Sequence, residues 1–265
     1  MLTVVCKSLW AYRGFILSNI KREFQMKYRS SLLGAAWSVL NPLAMIIVYT
    51  VVFSQVMHAR LPNIDHSMGY SVFLCAGILT WGLFSEIASR AQNVFIGNAN
   101  LLKKINFPRL CLPVTVVCNA LLNFLIIFSI FTVFLIVTGL FPGFVYFALI
   151  PVLLVMVSFA IGLGITLGVL NVFFRDIGHL FEVILQFWFW FTPIVYPPSI
   201  LPEWVKPYMV FNPLAGVIKA CQTILVDGVW PDWYGLLPAL SLGILLCGLG
   251  FTLFRKHASE MVDEL

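Results

Sequence analysis

Two apolar runs, residues 113–137 and 144–170, are each long enough to cross the roughly 30 Å hydrocarbon core of a bilayer as an α-helix. Only the uncharged turn GLFPG, residues 139–143, separates them, so the pair reads as an antiparallel hairpin. In hydrocarbon every backbone N–H and C=O must be satisfied within the protein, which leaves helices and closed barrels as the spanning structures. Continuous runs of this length specify helices. Composition extends the conclusion to the whole chain: 61% hydrophobic and 10% charged residues, against a charged fraction of about 25% in soluble domains, describe a polytopic membrane protein.

Four further segments complete the count. Residues 34–57, with Asn41-Pro42 inside, form a first span, residues 70–86 a second that can continue as a helix beyond the membrane, and residues 234–254 a sixth, closed by Arg255 and Lys256. The fifth is different. From Phe181 it fills with aromatic side chains (Phe187, Trp188, Phe189, Trp190, Phe191), then breaks at Thr192-Pro193 and again at Pro197-Pro198. As a helix, residues 181–196 reach only about 24 Å. Short, broken apolar backbone is tolerated at membrane depth only where it lines a cavity or lies inside protein. Downstream, Asn212 is an N-cap and Pro213 suits the first helical position. Leu214, Val217, Ile218, Cys221, Ile224 and Leu225 then follow helical periodicity until Asp227-Gly228. A helix of about 13 residues reaches roughly 20 Å and cannot span. The segment therefore exits, turns and partly re-enters. Trp188, Trp190, Tyr196, Trp204 and Tyr208 lie along this path, with two readings open: an interfacial aromatic belt, or rings that face a passage and stack on sugars.

Lysine and arginine set the orientation. Lys7, Arg13, Lys21, Arg22, Lys27, Arg29, Arg90, Lys103, Lys104, Arg109, Arg175, Arg255 and Lys256 fall on one side of this topology, and only Arg60, Lys206 and Lys219 on the other. Both termini are expected in the cytoplasm, with loops 58–69, 139–143 and 197–233 outside. Ahead of the first span, Leu9, Ile16, Leu17, Ile20 and Phe24 share one helical face and Ser18, Lys21, Arg22, Gln25 and Arg29 the other, which predicts an amphipathic helix at the interface. A secretory signal fits poorly, because the following apolar run is too long and lacks a small-residue cleavage site. The segment is expected to be retained. The expected organisation is an interface segment at 1–33, a six-helix membrane domain at 34–254 and a cytoplasmic tail at 255–265.

Residues that could carry chemistry are sparse. Cys6, Cys75, Cys111, Cys118, Cys221 and Cys247 lack a C-x-x-C spacing and read as small apolar side chains, and the four histidines form no metal-binding pattern. There is no G-x-x-x-x-G-K-[ST] phosphate loop and no G-x-S-x-G nucleophile motif, so enzyme readings lack support. The net charge of +5 comes without a basic run long enough for nucleic acid and belongs to membrane orientation. Ala160, Gly164 and Gly168, and again Ala239, Gly243 and Cys247, repeat at four-residue spacing that lets backbones approach; packing within the chain, first of all with the hairpin neighbour, is expected ahead of a dimer contact. Glu86 and Arg90, four apart, are expected to pair, as Arg175, Asp176 and Glu182 do at the matching end of the fifth span. Residues 93–104 mix Val94, Phe95, Ile96, Leu101 and Leu102 with Asn and Lys before Pro108. A short amphipathic helix there offers its apolar residues to a partner protein or rests on the membrane surface.

The stretches NLLKKINFPRLCLP (100–113), NVFFRDIGHLFEVILQFWFWFTPIVYP (171–197) and FNPLAGVI (211–218) resemble the membrane subunits of bacterial type 2 ABC exporters, and more narrowly the permeases that export O-antigen, capsule or teichoic-acid polymers. The resemblance covers nearly the whole chain. It implies an all-α polytopic fold with six transmembrane helices, an N-terminal amphipathic interface helix at about 9–24, and short re-entrant outward-side helices, about 200–210 and 214–226, between spans 5 and 6. It implies a homodimer in the bacterial cytoplasmic (inner) membrane above two separate ATPase subunits. ATP and magnesium would bind on those partners, with no cofactor or metal on this chain. Lys21 and Arg22, and around the loop helix Asn93, Phe95, Asn100, Leu101, Lys103 and Lys104, would contact the ATPase. The cargo would be a polysaccharide on a lipid pyrophosphate carrier, with Lys27, Arg29 or Arg90 facing the phosphates. Phe187, Trp188, Trp190, Phe191, Tyr196, Trp204 and Tyr208 would lie along its path. A type 2 permease for a small drug or lipid, and a membrane-bound glycosyl- or phosphotransferase, are the alternative readings.

Overall fold

A computed structural model describes residues 10–28, 36–49, 51–52, 68–104, 109–258 and 260–264. Among these residues the regular structure is entirely helical. In chain order the α-helices are α1 (Arg13–Tyr28), α2 (Trp37–Tyr49), α3 (Gly69–Gly97), α4 (Ala99–Lys104), α5 (Cys111–Val137), α6 (Leu149–Phe173), α7 (Asp176–Phe191), α8 (Pro213–Gln222), α9 (Leu237–His257) and α10 (Glu260–Glu264). Four helical segments of the described residues are long and apolar enough to cross a membrane: Gly69–Gly97, Cys111–Val137, Gly143–Phe173 and Tyr234–His257. They match the expected second, third, fourth and sixth spans. The expected first span is represented by the 13 residues of α2, and the remainder of 34–57 lies largely outside the described residues. In place of the expected fifth at 181–196 stands α7, equally short at 16 residues but beginning at Asp176 and stopping at Phe191.

The bundle is built around α3. Of its most apolar stretch 78% is buried inside the chain, against 28%, 33% and 22% in the segments containing α5, α6 and α9, which keep a face for lipid or for another protein. Small residues explain the packing. A side chain on Gly164 would meet Ala91 of α3, and one on Gly168 the Ala91 carbonyl, so α6 lies directly against α3. One helical face round, Gly162 sits on the Cys247 backbone and Gly243 on Phe159, and α6 makes its most extensive contact with α9. Close backbone approach through small residues is the usual basis of helix association in lipid. The hairpin partner is not the one they serve. α5 and α6 touch only lightly despite their short connection, and α5 instead packs on α3. The reason is that α5 offers bulky Phe124, Phe128 and Phe131 to the core rather than a small-residue stripe. The connection itself closes as expected. Gly139 adopts φ 73° while its N–H and that of Leu140 bond back to Ile136 and Leu135, a left-handed cap that satisfies the last carbonyls of α5.

Two other expectations are corrected. Residues 93–104 do not form a separate loop helix: α3 continues to Gly97, breaks at Asn98, and the six-residue α4 follows. Val94, Phe95 and Leu102 are buried, with Phe95 stacked on Phe254 of α9 at 5.5 Å, so these apolar groups close the bundle rather than face outward. The outward helix expected at 200–210 is only 3-10 turns, Pro198–Ile200 and Lys206–Phe211, because prolines 197, 198, 202 and 207 remove the N–H groups an α-helix there would need. The interface helix forms but runs later than expected, to Tyr28; Ile16 is buried and Ile20 packs on the core, whereas Leu17 remains 64% exposed. Leu9 lies outside the described residues.

Candidate functional site

The break after α7 is held by one asparagine. The Asn212 side chain caps α8 by accepting from the Leu214 N–H at 3.1 Å. The same Oδ1 accepts from the Trp188 indole N–H at 2.9 Å, while the amide nitrogen donates to Thr192 Oγ1 at 3.0 Å. The start of α8 is thereby fastened to the end of α7. Further along, Gln222 donates to the Pro193 carbonyl, and Tyr70 of α3 donates to the Val195 carbonyl at 2.6 Å. Carbonyls beside the proline breaks thus find donors inside the protein. α8 is capped and begins with Pro213, and the helical stretch ends at Gly228 with φ 65°, in agreement with the sequence pattern; the π-helical turn at Thr223–Asp227 that follows α8 is an addition to it. Its contacts are with α3, α6 and α9, and most of its side chains are buried.

Beside this joint lies an almost wholly apolar cleft of about 490 Å³ lined by Trp188, Phe191, Trp204, Tyr208, Phe211 and Asn212, among others. Four of the seven aromatic candidates therefore converge. Trp188 forms its inner wall, set edge-on against Phe84 and Trp81, and Trp204 and Tyr208 form the outer wall, about 70% exposed. The other three do not line it: Phe187 and Trp190 are exposed on α7, and the Tyr196 hydroxyl donates to the Trp190 carbonyl. Phe211 also lines the cleft, as does Asn212, which is expected from its sequence position only as the cap of α8. The spacing of Tyr208 and Phe211 at i, i+3 was the available signal.

A second cluster lies lower on α3. The expected Glu86–Arg90 pair is present at 3.2 Å, and Arg90 is also bonded to Glu23 of α1. Asn119 and Asn123 of α5 donate to Glu23 and Glu86 respectively. Arg90 thus stands between two carboxylates; Lys27 lies on α1 and Arg29 outside the described residues. Of the expected ATPase contacts, Lys21, Arg22, Asn93, Asn100 and Lys103 are exposed, Leu101 is half-buried, Lys104 ends α4, and Phe95 is fully inside. Asn93 also accepts from Asn171 at 3.2 Å, and Asn171 accepts from the Gly178 N–H at 3.0 Å while Gln92 donates to the Gly178 carbonyl at 3.1 Å. These bonds knit α3, α6 and the start of α7 together.

The described residues thus form a multi-pass helix bundle in which the short α7 breaks beside an aromatic cleft. The chain matches the ABC-2 type transporter family over residues 15–226. It is 30% identical over 262 residues to the O-antigen export system permease protein RfbA of Myxococcus xanthus, with 98% of each chain covered. Against RfbA of Klebsiella pneumoniae it is 33% identical over 245 residues, 92% of each. The polysialic acid transport protein KpsM of Escherichia coli is 23% identical over 250 residues, 92% of this chain and 93% of that one. The chain belongs to the ABC-2 type transporter family, and it is a transport subunit of the membrane rather than an enzyme.

Proposed function

We propose that the chain is the permease of an ATP-driven exporter that moves a lipid-linked polysaccharide of the O-antigen kind across the bacterial inner membrane. The observation that carries this reading is the cleft at the α7–α8 joint. Rings of Trp188, Phe191, Trp204 and Tyr208 surround one apolar space with few fixed polar groups, a lining that can stack on successive sugars without holding any one of them. Full-length similarity to permeases named for O-antigen export supports the choice of cargo. Contact with α3 supports a re-entrant path: Ile194 and Gln222 both approach Gly77, eight residues inside α3 from Gly69.

The ABC-2 family implies a partner ATPase, and in this reading two ATPase chains bind ATP and magnesium beneath a homodimer of the permease. The cytoplasmic end is where the cations gather. The end of α3, the start of α5 and the end of α9 meet there, through Phe95 on Phe254 and through Arg109 donating to the Ala258 carbonyl. Both termini then face the cytoplasm. Carrier phosphates would meet Lys27 and Arg29, with Arg90 engaged by its carboxylates.

The test uses a strain deleted for the chain. Complementation with the parent sequence is expected to restore surface polymer, and the double variant Trp204→Leu, Tyr208→Leu to restore it at least about fivefold less while folding normally, since both rings are exposed and stacking on such rings is worth only about 1 kcal/mol each. Surface polymer in the uncomplemented deletion strain would reject the proposed function. Unchanged export by the double variant, read from polymer immunoblots, would make the rings a belt only.

A further inference from the structure

The polar cluster under α1 has a division of labour that the cleft does not use. Arg90 splits its guanidinium: Nη1 donates to Glu86 on its own helix at 3.2 Å, and Nη2 donates to Glu23 of α1. α5 repeats the division one turn apart, Asn119 donating to Glu23 and Asn123 to Glu86. Each carboxylate therefore accepts from an arginine nitrogen and from an amide. Glu86, Arg90 and Asn123 belong to α3 and α5, which pack extensively on one another, whereas Glu23 alone arrives from α1. If Glu23 leaves, Arg90 keeps Glu86, so parting α1 from the bundle leaves the half-buried guanidinium paired rather than stranded.

Among the described side chains, apolar contacts supply the rest of the hold on α1. Ile16 is buried and Phe15 and Ile20 pack on the core, but Leu17 and Met26 are 64% and 58% exposed. Between α1, α3 and α5 runs a groove of about 1050 Å³ that includes Leu17, Ile20, Glu23, Arg90, Asn119 and Leu122 in its walls. The groove sets α1 apart from α3 and α5 along this face. The Glu23–Arg90 side chains are themselves 41% and 33% exposed, and an ion pair in contact with water is weak enough to make and break in a working cycle.

We propose that Glu23 is a clasp residue that holds α1 against α3 and α5 in one of two positions, the other leaving the Arg90–Glu86–Asn123 set intact. Its release lets α1 move independently of the bundle, and its re-formation draws α3 and α5 after α1. Only the consequence, passage of a partner's nucleotide cycle into the membrane helices, rests on the transporter reading above. Glu23 is a positioning residue; it touches no cargo in this account.

The experiment uses the complex of the full chain with its ATPase in lipid nanodiscs and proteoliposomes, comparing the parent with Glu23→Gln and Glu23→Ala. Without nucleotide, amide exchange across residues 13–28 is expected to rise about fivefold in both variants while α5, α6 and α9 stay unchanged. ATP hydrolysis is expected to stay within about twofold of the parent while ATP-dependent polymer export falls about tenfold. Unchanged exchange in α1, or export within about twofold of the parent, would overturn the clasp, as would failure of both variants to assemble, which would make Glu23 an anchor of the fold. A parent complex that hydrolyses ATP and exports no polymer would reject the transport reading instead, and the exchange measurement still decides the clasp.

Discussion

Asn212→Leu is expected to cost the chain about 2–4 kcal/mol and to reduce export at least about tenfold. Loss of an N-cap costs about 1 kcal/mol, and leaving the half-buried Trp188 indole N–H without its acceptor costs about 1–3 kcal/mol more. The effect is greater than that of an ordinary cap because the same side chain also ties α8 to Thr192, so α7 and α8 lose their shared fastening together. Asn212→Asp keeps the oxygen that serves Leu214 and Trp188 and gives up the donor to Thr192, and is expected to fall between parent and Asn212→Leu. Thermal unfolding of the detergent-solubilised protein, followed by intrinsic tryptophan fluorescence, reads the stability difference directly. Equal melting temperatures for parent and Asn212→Leu would remove Asn212 from its place at the joint.

A second expected result is an asymmetry between two glycines that face each other. In α8, a Cβ on Gly216 would overlap the Gly235 carbonyl oxygen, a backbone atom that cannot rotate away. On Gly235 the nearest atom to a Cβ is Asp232 Oδ2 at 3.7 Å, ordinary contact. Gly216→Ala must therefore push α8 from the start of α9, at the upper end of the usual overpacking penalty of about 1–3 kcal/mol or beyond it. Gly235→Ala is expected to be tolerated. The yield of monodisperse protein in size-exclusion chromatography separates the two, with Gly216→Ala recovered at a small fraction of parent and Gly235→Ala close to it. Equal yields would mean that α8 is not seated where Gly216 places it.

Much of the joint was legible because its signals are local. Asn212, Pro213 and Gly228 mark the two ends of α8 within a few residues of the groups they satisfy, and the shortness of α7 follows from Pro193 and Pro197-Pro198 by length alone. The same locality gave the Glu86–Arg90 pair, one turn apart. What sequence could not give are partners far along the chain. Glu23 lies 67 residues from Arg90, and Phe95 reads as a free apolar residue until Phe254 is known to cover it. The expected packing of α6 on its hairpin neighbour differs for a related reason: a short turn fixes where α5 and α6 begin, but Gly162, Gly164 and Gly243 decide which helix surfaces can approach, and these select α3 and α9. The aromatic run at 187–191 posed a further problem, since helical periodicity sends Trp188 inward and Phe187 and Trp190 outward, so only part of it lines the cleft.

The most direct test of the account is transport itself. The chain and its ATPase partner, purified together and reconstituted in sealed proteoliposomes, would be given a lipid-linked O-antigen polymer in the leaflet on the ATPase side. The account predicts ATP-dependent appearance of the polymer in the opposite leaflet, scored by susceptibility to an enclosed glycosidase and lost when either subunit is omitted. Hydrolysis of ATP with no polymer crossing, while small hydrophobic compounds are moved instead, would contradict it.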